Sequence, residues 1–264
     1  MTFWQAFILG AVQGIAEWLP VSSQGLLVLA QFHFWSADLE SAVELALFLH
    51  LGTFFAALVY FRKEVARLFK ALFDFNRQDQ ETQNLLLFLI VATLISGGLG
   101  IVLLRFIIYF VSFLDLATKS INLLIAILLL GTGILLLKAK AKGTRTLKDL
   151  GKKDWIVLGL AQAFAALPGF SRSGLTVSVL LLRKYGEDLA LRFSFLLSLP
   201  IVLAGNILLN LKIKNFQVPY LIALFSSFVF GILTIDVLIK SSRKVNFGYL
   251  VLFFSGWLFL SVWI

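Results

Sequence analysis

Two apolar stretches of this chain are interrupted by the same kind of polar motif, and this constrains its fold more than any other feature. The first reads QGIAEWLPVSSQG from Gln13 to Gly25, and the second reads QAFAALPGFSRSG from Gln162 to Gly174. Each Gln follows a Gly by three residues (Gly10 and Gly159). Each stretch then runs through a short apolar turn to Leu-Pro and a serine cluster closed by Gly, with spacings that differ by one residue. This is a degenerate repeat at an offset of about 149 residues, and its copies carry opposite charges, Glu17 in one and Arg172 in the other.

The surroundings place both motifs in a membrane. Of the 264 residues 60% are hydrophobic and only 14% charged, which excludes an ordinary soluble domain. The formal net charge of +9 comes from cations in short loops between apolar spans. That pattern is a topology signal and argues against nucleic acid as a partner; membrane lipids are the expected surroundings. The absence of Cys excludes disulfides and thiolate metal sites. No basic region or cleavage site follows Met1, so insertion by the chain's own spans is expected.

Hydropathy predicts a broken segment at 3–30, spans at 42–60, 85–104 and 121–137, a second broken segment at 155–182, and spans at 193–211, 218–239 and 247–264. Each unbroken segment reaches or approaches the roughly 20 residues a span needs. Loop charges choose between crossing and re-entrant readings of the broken segments. If both are re-entrant, one side holds 18 Lys and Arg against four; if both cross, the split is 14 against eight. The positive-inside rule favours the first. The expectation is an all-α integral membrane protein of two inverted-topology repeats, 1–153 and 154–264. Each is a re-entrant helix hairpin plus three transmembrane helices. The basic loops, including a lipid-headgroup-facing linker at 138–153, are expected to be cytoplasmic, with both termini outside the plasma membrane. The oligomeric state is left open, a homodimer being one option.

The motifs supply candidate chemistry. Arg172 lies deep in an apolar segment, cannot shed its proton, and costs several kcal/mol there unless paired or hydrated. Two readings are open: an ion pair with Glu17 that holds the hairpins together, or an anion clamp. In the clamp, Ser171, Ser173 and the backbone N–H groups around Gly169 and Gly174 add donors at a helix N-terminus, a combination that suits phosphate or pyrophosphate. Glu17 follows Gln13 by four residues, so both share one helix face before Pro20. An intramembrane carboxylate can act as general base, hold a divalent metal, or sit neutral against a backbone carbonyl. Of Ser22 and Ser23, before Gly25, one reads as a helix cap and the other as a nucleophile or phosphate donor. His50, mid-span, is open between packing and substrate contact. Asp236 is expected to pair with Lys240 one turn on, Asp38 to be solvated, and the glycines at 97, 98, 100, 131 and 133 to mark close helix packing.

The EWLPVSSQG stretch, the Pro-Gly-x-Ser-Arg-Ser-Gly motif at 168–174 and RFSFLLSLP at 192–200 resemble the undecaprenyl-diphosphatase (bacitracin-resistance) family of integral membrane phosphatases. HLGTFFAALVYFRKE at 50–64 and SFVFGILTIDVLIK at 227–240 extend the resemblance over almost the whole chain. It implies an inverted repeat with two re-entrant helix pairs. It also implies hydrolysis of a polyprenyl diphosphate to the monophosphate and phosphate, which recycles the lipid carrier for envelope glycan synthesis, and a divalent cation, Mg2+ or Ca2+. Carried over by position, Glu17 matches the second acid of a glutamate motif and the metal site. Ser23 matches a nucleophilic or phosphate-contacting serine, and Arg172 the phosphate-binding arginine. Gln13, Ser22, Gly25, His50, Gly169, Ser171, Ser173 and Gly174 complete the expected substrate contacts. Two positions depart: Gln13 replaces the first acid, and Leu26 stands where the family carries a proton-transferring His. A lipid-phosphate flippase or anion transporter is the alternative on the same repeat, and a relative that only binds the carrier lipid is a third reading.

Overall fold

The computed structural model describes residues 1–35, 39–113, 118–139, 143–167, 169–209, 217–241 and 247–261. Asp38, Pro168 and parts of several basic loops lie outside them. The described chain is helical, apart from turns and one isolated bridge between Arg145 and Tyr185. Its helices are α1 (Phe3–Ala16), α2 (Ser23–Trp35), α3 (Leu39–Tyr60), α4 (Arg62–Phe73), α5 (Gln80–Phe113), α6 (Thr118–Lys138), α7 (Lys152–Phe164), α8 (Arg172–Leu182), α9 (Glu187–Leu209), α10 (Val218–Ser241) and α11 (Phe247–Ser261).

Among the described residues, α5, α9 and α10 are long and apolar enough to cross a membrane, and α3 passes the same test together with α4, from which it is bent by 88°. Large apolar side chains such as Trp4, Leu94, Phe225 and Trp257 stand exposed around the bundle, a surface that water would not tolerate and lipid does. The protein is an all-helical, multi-pass membrane protein.

Local chemistry sets the breaks. Helix α1 starts on a capping box in which the Gln5 N–H donates to Thr2 Oγ1 and the Thr2 N–H donates to Gln5 Oε1. It stops at Glu17, three residues before Pro20. Helix α8 is capped by Ser171, whose Oγ accepts from the Gly174 N–H at 3.2 Å.

Small residues fix how the short helices seat. Helix α1 packs on α10 and α7 packs on α5, while α6 pairs with α11 and α3 lies against both α9 and α10. At Gly10, α1 rides directly on Ala223 and Ser226, and Ser226 Oγ donates to the Phe7 carbonyl at 2.9 Å. At Gly159, α7 rides on Ala92 and Ile95, and Gln162 Nε2 donates to Ser96 Oγ at 2.9 Å.

Several expectations need correction. The described part of the linker is tied back to the turn after α8. The Thr144 and Arg145 N–H groups both donate to the Lys184 carbonyl at 3.0 Å, and Arg145 lies over the Tyr185 ring. The Arg145 guanidinium donates to both oxygens of buried Asp154, at 2.9 and 2.8 Å, and Arg183 Nε adds a third bond at 2.7 Å. Burial alone would raise the Asp154 pKa, but these donors outweigh it and hold the carboxyl at about 2. The first broken segment extends past residue 30, because Gln31 is satisfied inside the bundle by the Leu27 and Ala42 carbonyls at 3.2 and 3.0 Å. Residues 62–73, expected as a basic loop, form α4. Of the glycines, Gly133 packs closely against Leu252, whereas a side chain at Gly98 or Gly131 would meet nothing within 4 Å among the described residues. The Asp236–Lys240 pair forms at 2.6 Å.

Candidate active site

The turn after α1 and the turn before α8 meet inside the bundle. Ser173 Oγ donates to the Leu19 carbonyl at 2.9 Å, and Gly174 fits between Pro20 and Thr132 of α6. Gly169 takes φ 108°, a left-handed conformation that brings its backbone against Ile125 of the same helix. Ser22 adopts φ 62° without being glycine, at a cost of about 1 kcal/mol. Its carbonyl accepts from the Leu26 N–H at 3.1 Å, which leaves Ser23 as the first residue of α2. Two helix N-termini, those of α2 and α8, are thereby set at the two turns, each presenting first-turn N–H groups and the positive end of a dipole.

The centre of this arrangement is the Glu17 carboxylate, 6% exposed. Its Oε1 is paired with Arg172 Nη2. Its Oε2 accepts from Ser23 Oγ at 2.6 Å and from Gln13 Nε2 at 3.0 Å, and His50 Nε2 lies 3.1 Å away. One carboxylate thus gathers partners from α1, α2, α3 and α8. His50 Nδ1 is 2.6 Å from the Ala46 carbonyl, so both of its ring nitrogens face oxygens. Arg172 Nη1 reaches the Ser194 carbonyl at 3.5 Å, and Thr176 Oγ1 lies 2.7 Å from Ser194 Oγ, joining α8 to α9 beside the arginine.

Of the residues expected from sequence, Gln13, Glu17, Ser23, His50 and Arg172 come together on this carboxylate. Ser171, Ser173, Gly169 and Gly174 frame the second turn, while Ser22 and Gly25 pack on each other at the first. Sequence reasoning passed over Ser194 and Thr176, since a main-chain carbonyl has no residue signature. It also passed over Trp18, which packs against Phe195 with ring centres 4.8 Å apart and planes tilted by 60°. Two buried atoms in this region, Gln13 Oε1 and Trp18 Nε1, have no hydrogen-bond partner among the described residues.

The donor set does not fit a resident divalent cation. Among the described residues no group of three or more His, Cys, Asp or Glu side chains gathers. The one carboxylate is already surrounded by four polar partners, one of them a guanidinium. A hard dication is held by several oxygen ligands carrying net negative charge, and among the described residues the neutral Gln13 Oε1 is the one buried side-chain oxygen here without a partner.

These features define a class: a multi-pass helical membrane protein with a charged centre buried where two broken helices meet. Within that class, residues 6–257 match the family described as bacitracin resistance protein BacA, and the chain belongs to that family. It is 39% identical over 249 residues to an undecaprenyl-diphosphatase of Methanococcoides burtonii, covering 93% of this chain and 92% of the relative. It is 38% identical over 250 residues to one of Methanothrix thermoacetophila, with 93% and 91% covered. A third, from Haloarcula marismortui, is 36% identical over 262 residues, with 95% and 94% covered.

Proposed function

We propose that this protein hydrolyses undecaprenyl diphosphate, or a related polyprenyl diphosphate, to the monophosphate and inorganic phosphate, recycling the carrier lipid for envelope glycan synthesis. The observation that carries this reading is the convergence of Ser23, His50, Gln13 and Arg172 on the buried Glu17 carboxylate, in a chain whose relatives are named for that reaction.

In this mechanism the diphosphate draws Arg172 from Glu17, and the N-termini of α2 and α8 add N–H donors. Ser23 Oγ attacks the terminal phosphorus as its proton passes to Glu17 Oε2, the oxygen it already bonds. The bond from that phosphorus to the bridging oxygen breaks, and His50 delivers a proton to the departing prenyl phosphate. Water then attacks the phosphoserine, giving one proton to His50 while Glu17 returns its own to Ser23. Arg172 balances the charge of the phosphoryl group throughout. His50 takes the proton-transfer place left empty by Leu26. Bound with the substrate rather than held by the protein, Mg2+ or Ca2+ would supply charge neutralisation to the diphosphate.

The matching topology is two inverted repeats, with the first hairpin entering from outside, the basic loops cytoplasmic and both termini outside the plasma membrane. In support, α1 rides on α10 at Gly10 as α7 rides on α5 at Gly159, each on two residues three apart. The pairs α3–α9 and α6–α11 bring together elements in corresponding places of the two halves.

Phosphate release from a polyprenyl diphosphate in detergent tests the reading. Release that disappears in Arg172→Ala is expected. Lipid movement across vesicles without release would instead establish the flippase.

A further inference from the structure

We propose that α4 is an interfacial helix that docks on anionic lipid headgroups, a surface separate from the Glu17 centre and beyond the reaction proposed for it. At 12 residues it is about 18 Å long, too short to cross a bilayer core of about 30 Å. The 88° turn from α3 directs it along the membrane plane if α3 spans.

Three kinds of side chain divide its surface. Leu68 and Ala71 are buried against the bundle. Phe69, Leu72 and Phe73 project outward, 63%, 53% and 78% exposed. Lys63, Arg67 and Lys70, spaced four and three residues apart, are also exposed and share one polar side. Among the described residues none of these three cations has an ion-pair partner. The one acid of the helix, Glu64, is engaged by Arg192 of α9 at 2.5 Å, so it does not cancel the cationic side. That ion pair and buried Phe61 at the bend hold α4 in place.

Bulky apolar side chains beside an uncompensated row of cations match the acyl–headgroup boundary of an anionic leaflet. A soluble protein partner would have to cover three exposed apolar side chains at the level of the lipid. Charge complementarity therefore selects lipid.

The chain has no Cys, so a Leu72→Cys variant carries a single fluorophore. In vesicles of phosphatidylcholine and phosphatidylglycerol this label is expected to be quenched by lipids brominated near the headgroup. A label at Lys70→Cys is expected to remain open to aqueous iodide. Each of Lys63→Gln, Arg67→Gln and Lys70→Gln is expected to lower the phosphatidylglycerol retained by the purified protein about five-fold. Phosphate release in neutral detergent serves as a folding check and keeps a failure of docking distinct from a failure of catalysis. A label at position 72 open to water would overturn the proposal. So would unchanged phosphatidylglycerol retention when Lys63→Gln, Arg67→Gln and Lys70→Gln are combined, or shielding of the label that disappears when a dimer dissociates.

Discussion

Arg172 and Glu17 are 155 residues apart and form a buried ion pair that ties the start of α8 to the end of α1. Each broken segment supplies one charge, and neither charge is tolerable in the bundle without the other. The pair is both the joint between the two turns and the place where a phosphate oxygen can replace a carboxylate oxygen on the guanidinium.

Arg172→Ala is expected to lower phosphate release by at least about 10²-fold and to destabilise the fold by about 3–5 kcal/mol, since it strands the Glu17 charge. The double variant Glu17→Gln/Arg172→Gln should unfold at a higher temperature than Arg172→Ala while remaining inactive. Thermal unfolding in detergent alongside phosphate release separates the two roles.

Gly174→Ala would drive a methyl group into Thr132 Cγ2 and against Pro20. Loss of activity with a lower melting temperature is expected. Thr132→Ser removes the colliding methyl and keeps the hydroxyl that donates to the Leu128 carbonyl. Partial recovery in Gly174→Ala/Thr132→Ser, measured by both readouts, would identify the collision as the cause.

Leu26→His is expected to restore phosphate release to His50→Gln. His50→Gln keeps a donor for Glu17 but not a transferable proton, so a fall of about 10² to 10⁴-fold is expected. Steady-state rates of the two single variants and the double variant provide the comparison.

If the ion is bound with the diphosphate, as proposed, a chelator is expected to stop phosphate release without moving the melting temperature of the lipid-free protein. Gln13→Glu, which adds a second carboxylate beside Glu17, should create a site that Mn2+ occupies without lipid, seen in the electron spin resonance of the bound ion.

Asp154→Asn should destabilise the protein near neutral pH by about 2 kcal/mol from the ionic contribution. The Asp154 carboxyl titrates at about 2, below its ordinary 3.8. Its stabilisation is therefore complete above the ordinary value and lost as pH falls through about 2. The gap between wild type and variant in thermal unfolding is expected to be constant near neutrality and to close on acidification.

The pairing of Glu17 with Arg172 was legible because an isolated charge in an apolar segment requires a partner, and the two motifs offered one of each sign. His50 was less legible. Its chain position shows that it is buried but not which face of α3 meets the end of α1. Helix α4 was hidden because averaged hydropathy merges its cations with its phenylalanines, whereas its order depends on their separation around the helix. The Asp154 cluster draws Arg145, Arg183 and Tyr185 from the linker, the end of α8 and the turn that follows it, so no local pattern announces it. The first broken segment continues to Trp35, past its expected end at residue 30, and Gln31 is carried inside the bundle by two main-chain carbonyls that no local pattern reveals.

The division of one ion pair between two stretches of chain also bears on ancestry. A fragment ending before α7 would carry Glu17 without the Arg172 guanidinium, and a fragment beginning there would carry Arg172 without the Glu17 carboxylate. Each would be a poor tenant of lipid by itself. Substitution at either position exposes its counterpart, so the two motifs cannot drift independently and must be inherited as a unit. Expressed separately the fragments should be degraded, and produced together they should reassemble into one particle.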